Sequence, residues 1–250
     1  MARKQRKKKD TADAVIEEFE SIAERLAGWV GEHPFWVGGF VALSLGLAAA
    51  YGGYDSWHTH REQDASAALD RVRSEYLKAM GAVPGALEVP ELANPDTAQR
   101  IKREFVAQFA QVATERRGTV AGTLAALEQG NLTEETEEEW DSAIEIWTGA
   151  LEGAPRNGRL RAIVWERIAQ AQEEAGRWLE AAEAHEQAGR ISSFPLRYRA
   201  LADAARCYAA GDQLERAGAL FDRLTHEAPA LRLPEHIRSQ RRELATLGSL

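Results

Sequence analysis

The feature that most constrains this 250-residue chain is a pattern that returns. Ala143-x3-Trp147-x2-Ala150-x4-Pro155 comes back with identical spacing as Ala217-x3-Phe221-x2-Leu224-x4-Pro229. Between them stands Ala181-x3-His185-x2-Ala188, so the steps are 38 and 36 residues. The preceding segments align as well: Trp165-x2-Ile168-Ala169-x2-Gln172 with Leu201-x2-Ala204-Ala205-x2-Tyr208. Intervals of three and four residues are helical. A fixed period of this length marks stacked helix pairs, each burying its apolar face against the next. After residue 58 no window shows the period-2 alternation of a strand, so the fold class expected is all-α.

These positions resemble the tetratricopeptide repeat (TPR). Its pattern places small residues where two helices cross closely and large ones where they fill the gap. Two departures fall in the middle repeat: Gln172 replaces an aromatic residue, and proline comes late, at Pro195. The first repeat carries a long acidic insert, Asn131–Glu139, between its helices, after a Gly130-Asn131 turn. Helices are expected near 59–80, 97–117, 119–129, 135–152, 159–175, 178–190, 197–210, 213–227 and 235–247. The repeats occupy 96–234. Residues 58–95 form a juxtamembrane helix and a loop with three prolines, and 235–250 form a helix capping the last apolar face.

The N-terminal quarter is different. From Pro34 to Tyr54 no residue is charged, and Phe35 and Trp36 at one end face Tyr51, Tyr54 and Trp57 at the other. About 20 apolar residues cross a bilayer, and aromatic belts mark its two interfaces. A single transmembrane helix over 34–57 is therefore expected, although five glycines dilute it. Residues 1–33 read as a cytoplasmic tail with an amphipathic helix. Thr11 is its candidate cap, and Val15, Phe19, Ile22, Leu26 and Trp29 form one face. The chain carries a net charge of −8, yet its first nine residues hold +6, leaving −14 for the rest. The basic tail sets the orientation: N-terminus inside, repeats on the far side, the periplasm of a bacterial inner-membrane protein. So acidic a body is a poor nucleic-acid binder, because such affinity rests on cations meeting phosphates. Gly38, Ala42, Gly46 and Ala50 recur every fourth residue, a small-residue stripe that lets another helix backbone approach.

The order of tail, apolar helix and helical repeats resembles the YfgM-type ancillary subunit of the Sec translocon. The helix Gln63–Met80 and the run Gly118–Gly130 are the closest local echoes. The resemblance implies a periplasmic module that binds polypeptides or chaperones beside the translocon. The alternative is a scaffold subunit of another envelope complex serving secretion, motility or division.

No nucleophile elbow, phosphate loop, dinucleotide fingerprint or zinc-protease motif is present, so no enzyme activity is expected and no cofactor or metal is assigned. His58 and His60 with Asp55 and Glu62 are read as polar interfacial residues, and Cys207, the sole cysteine, as a buried small hydrophobe. TPR register places Ile163, Glu166, Gln170 and Glu173 on the concave wall of one repeat, and Arg199 and Arg206 on the next. One wall is acidic and the other basic. Protein partners are expected through this groove and through the stripe, a second copy of the chain among them.

Overall fold

The computed structural model describes residues 28–242, leaving out 30, 84, 86–87, 138–139, 155–157, 230–231, 233–234, 236 and 240–241. All regular structure among the described residues is α-helical. The helices are α1 (Pro34–Ala79), α2 (Pro95–Glu115), α3 (Val120–Glu137), α4 (Trp140–Gly153), α5 (Gly158–Glu174), α6 (Trp178–Arg190), α7 (Arg197–Ala210) and α8 (Leu214–Glu227). The chain divides into two compact units, 1–59 and 60–250.

In the second unit each helix from α2 onward packs on its neighbour in sequence. The core is a series of clusters handed from one helix pair to the next. Ala65, Leu69, Tyr76 and Met80 meet Phe105, Phe109 and Val112 of α2, then Ala121 and Ala125 of α3. Trp147 of α4 joins Leu127 of α3 to Leu160, Val164 and Ile168 of α5. Leu201, Ala204 and Tyr208 of α7 pack with Ala181 of α6 and with Phe221 and Leu224 of α8. Ile237, fully buried, closes that end. It lies in the segment expected to cap the solenoid, of which 243–250 fall outside the described residues. Helices of 13 or 14 residues are marginal alone in water, so this neighbour-to-neighbour burial holds them.

Helix ends follow local chemistry. Asn94 caps α2 by accepting from the amides of Asp96 and Thr97 at 3.0 and 3.2 Å. Helices α1, α5 and α7 end in the same turn. Ala82, Arg177 and Gln213 each donate back five residues, to the carbonyls of Leu77, Gln172 and Tyr208. The residue before each of these has positive φ: Gly81 (82°), Gly176 (72°) and Asp212 (61°). The start of α3 is capped from a distance. Glu62 accepts from the Val120 amide at 3.1 and 3.3 Å, and Gly118 takes the left-handed turn just before it.

The structure corrects one expected break. Gly130-Asn131 is not a turn: α3 runs through it and through the acidic insert as far as Glu137, and the next helix, expected from about 135, begins at Trp140. Gly130 is needed for packing: a Cβ there would lie 2.1 Å from the Trp147 indole nitrogen. Glu135, within that insert, pairs with Lys102 of α2 at 2.7 Å.

In the first unit, residues 34–59 are helical and their described side chains are exposed, Phe35 to 92%. Among the described residues no helix is long and apolar enough to cross a membrane. The segment expected to span over 34–57 is met as a continuous helix, the first part of α1. The stripe of Gly38, Ala42, Gly46 and Ala50 is open, with nothing within 4 Å of a Cβ placed at Gly38 or Gly46. The amphipathic face of Val15, Phe19, Ile22 and Leu26, with Thr11, lies outside the described residues. Trp29, its last member, is half-exposed and stacks on His33, ring centroids 5.1 Å apart.

Candidate functional site

Helices α5 and α7 are the first helices of two successive repeats, and α6 lies between them in sequence. Together they line a cavity of about 330 Å³. Glu166, Gln170 and Glu173 enter it from α5, Arg199, Asp203 and Arg206 from α7, and His185 from α6. Five of the six groove residues expected from sequence therefore converge on one hollow. The sixth, Ile163, is exposed and not part of its lining.

At the floor lies a charged network. His185 is 2% exposed in an otherwise alanine-rich core. Its Nδ1 is 2.9 Å from Glu166 Oε1 and its Nε2 is 2.7 Å from Glu173 Oε1. Both ring nitrogens face carboxylates, so both must donate, and the ring is an imidazolium. Burial lowers its affinity for the proton, but the contacts with Cys207, Glu166 and Glu173 outweigh that and push its pKa up to about 11. For Glu173, burial raises the pKa, and hydrogen bonds from His185 and Arg206 override this to hold it near about 2. The Arg206 guanidinium reaches both oxygens of Glu173, at 2.6 and 2.5 Å. The paired carboxylate in turn holds the Arg206 charge more firmly, against the cost of burying it. Cys207 is buried, and burial drives its thiol pKa up despite the cations beside it. Paired on every side, these buried charges avoid the penalty an unpaired one would bear.

Nearer solvent the groove is looser. Gln170 is exposed and accepts from Arg167 at 3.3 Å. Arg199 is half-exposed and pairs with Asp203 one turn along at 3.0 Å. Glu166, Glu173 and Arg206 are thus committed to the network, while Gln170 and Arg199 are presented outward. A second hollow, about 480 Å³, lies among α2, α3 and α4 and is lined largely by small residues such as Gly122, Ala126 and Gly149. It has no comparable convergence of charge.

Sequence reasoning gave His185 no role. The signal was there: it fills the slot that Trp147 and Phe221 occupy in the flanking repeats, and the helix before it places Glu166 and Glu173 seven residues apart. A titratable ring in an aromatic slot, opposite two acids on one helix face, is a motif in its own right. The cluster at Asp55, His58, His60 and Glu62 is used otherwise. Glu62 caps α3, and His58 lies 6.1 Å from the Tyr54 ring. Of the repeat tryptophans, Trp147 is fully buried, Trp140 and Trp165 are half-buried, and Trp178, which follows the Gly176 turn, is exposed to 37%.

Fold and repeat together define the class: an all-α solenoid of TPR-like helix pairs with a polar groove on its first-helix side. No family model matches the chain, and no curated protein does. Two crystal structures of a putative kinesin light chain from Podosopora anserina, described as having nearly identical TPR-like repeats, resemble it. The first is 18% identical, with a TM-score of 0.45, covering 72% of this chain and 93% of that one. The second, a variant of the same protein, is 19% identical with the same TM-score, covering 72% and 92%. Likeness at that level says nothing of what this chain binds.

Proposed function

We propose that the chain is a membrane-held protein-interaction module of the bacterial envelope, with its 60–250 solenoid gripping polypeptide in the α5–α7 groove. The convergence of Glu166, Gln170, Glu173, Arg199 and Arg206 on one cavity carries this reading. With Glu166, Glu173 and Arg206 paired to one another, the groove presents Gln170 and Arg199 outward, an amide and a cation suited to the polar backbone and carboxylates of a polypeptide. The membrane half of the reading is supported by the uncharged run 34–54, its aromatic ends, and the exposure of Phe35, Trp36, Phe40, Leu43 and Leu47. Exposed apolar surface of that extent is costly in water and favourable in lipid or against another apolar helix.

In its most specific form the module is an ancillary subunit of the Sec translocon. The tail stays in the cytoplasm, one helix crosses the inner membrane, and the periplasmic repeats receive emerging chains or chaperones. Tethering raises the groove's effective concentration there. The open stripe Gly38, Ala42, Gly46 and Ala50 favours a second reading, a scaffold subunit of another envelope complex docked through that helix.

The test is crosslinking in intact cells, with a photoreactive residue at Gln170 and a control at Glu180, outside the cavity. Recovery of translocon subunits and periplasmic chaperones from Gln170 alone supports the first reading. Recovery of a different stable membrane complex moves the assignment to the scaffold. Equal yields at both positions remove the groove as the binding site. In the chain carrying the photoreactive residue at 170, Arg199→Glu should cut that capture several-fold while leaving the Glu166–His185–Glu173–Arg206 network intact.

A further inference from the structure

The network beneath the groove contains the donor set of a metal site. A carboxylate oxygen of Glu173, a ring nitrogen of His185 and the sulfur of Cys207 all lie within 4.8 Å of one another. They come from three successive helices, α5, α6 and α7, and His185 and Cys207 are buried. Zinc holds nitrogen, sulfur and oxygen donors at about 2.0–2.3 Å, which sets tetrahedral ligands roughly 3–4 Å apart. Closing on one ion therefore asks for side-chain adjustment without a change of fold.

Three further observations fit an ion there. Glu166 faces Nδ1 of His185 at 2.9 Å, the carboxylate–imidazole contact that fixes a metal-binding tautomer, so an ion would take the place of the proton now shared between Nε2 and Glu173 Oε1, 2.7 Å apart. Arg206 grips Glu173 and orients its carboxylate. The cavity of about 330 Å³ is lined by two of the three donors, Glu173 and His185, and is the side from which a fourth ligand such as water would reach the ion. Charge balance is also kept. An imidazolium beside a thiol carries +1. A divalent ion with a thiolate and a neutral imidazole also carries +1. Glu166 and Glu173 meet the same net charge either way.

We propose that Glu173, His185 and Cys207 bind a thiophilic divalent cation of the zinc class, with Glu166 and Arg206 orienting the ligands. Thiolate and imidazole donors select zinc over magnesium or calcium. The ion replaces the proton on Nε2 and the proton on Sγ, and two protons leave to solvent. Once bound, it clips α5, α6 and α7 together directly under the groove.

The experiment is titration of the tag-free full chain with Co²⁺, followed by Zn²⁺ competition. The expected result is one ion per chain and a near-ultraviolet thiolate-to-cobalt charge-transfer band that Zn²⁺ abolishes. Cys207 is the sole cysteine, so the band can arise only there. Cys207→Ser should lose the band and weaken Zn²⁺ binding at least tenfold. Glu166→Gln should keep the band and weaken binding about 10–100-fold, the usual cost of losing an orienting partner. Absence of the band at stoichiometric Co²⁺ overturns the site. So does Zn²⁺ binding unchanged by Cys207→Ser, which would place the ion elsewhere, for example at His58 and His60. Crosslinking at Gln170 requires no metal, so the groove reading and this one fail separately.

Discussion

Residues 34–59 and 60–250 use the same small side chains in opposite ways. In the first unit the glycines at 38, 39, 46, 52 and 53 have open space where a Cβ would stand. In the second, Ala143, Ala169, Ala181, Ala205 and Ala217 are fully buried, and Cβ atoms added at Gly130, Gly189 and Gly211 would meet side chains at 2.1, 2.6 and 2.5 Å. A small residue thus has no fixed meaning. In the solenoid it is half of a pair, set against an indole or a leucine that fills the space it leaves. In the 34–59 helix no described residue supplies the other half. The contrast yields predictions of decreasing size.

The largest concerns Trp147. It is fully buried, and its indole also donates to the Leu127 carbonyl at 3.3 Å. Trp147→Ala should cost about 3–5 kcal/mol, enough to unfold much of the solenoid at physiological temperature. Trp36→Ala, at a side chain exposed to 77%, should leave the solenoid's urea midpoint unchanged. Circular dichroism during urea titration of both variants decides the matter, and similar losses would erase the distinction between the two regions.

The same contrast can be tested with one methyl group. Gly130→Ala gains helix propensity of about 1 kcal/mol but drives a Cβ into the Trp147 ring. Overpacking of this kind costs about 1–3 kcal/mol, so the net change is destabilising. Gly46→Ala, with nothing nearby, should leave solenoid stability within about 0.5 kcal/mol. Gly46→Leu should instead reduce co-purification of a membrane partner, and Gly39→Leu, off the stripe, should not. A stripe that tolerates leucine without loss of any partner is no interface.

These glycines also show what the sequence could and could not disclose. Helix α6 was legible to the residue and α7 as well, because alanines at three- and four-residue intervals leave few other folds, and turn glycines such as Gly176 punctuate them. The groove was legible because solenoid register fixes which positions share a face, so Glu166, Gln170 and Glu173 could be placed opposite Arg199 and Arg206. Gly130 misled because sequence alone cannot tell a glycine that turns the chain from one that admits a neighbour. Both lack a Cβ, and the difference lies in an indole 17 positions away. His185 misled for a related reason. Its partners are one helix back and one helix on, and nothing local marks it as charged rather than merely bulky. Periodicity reports which face a residue is on; it is silent on the identity of what that face meets.

Gly149 gives the smallest effect and the sharpest comparison, because its sign should be opposite to that of Gly130. Both are interior helical glycines of the same repeat, one on α4 and one on α3. Gly149 is exposed, has nothing within 4 Å of its missing Cβ, and borders the hollow among α2, α3 and α4. Gly149→Ala therefore meets no steric opposition. It removes backbone freedom from the unfolded chain and adds helix propensity, together about 0.5–1 kcal/mol of stabilisation. In a chain of this size that raises Tm by a few degrees, at roughly 2–4 °C per kcal/mol. A differential scan of Gly149→Ala beside Gly130→Ala should show midpoints moving apart on either side of the parent. If Gly149→Ala falls with Gly130→Ala, the open space beside it is occupied in solution, and the hollow rather than the charged groove becomes the first surface to probe for a bound partner.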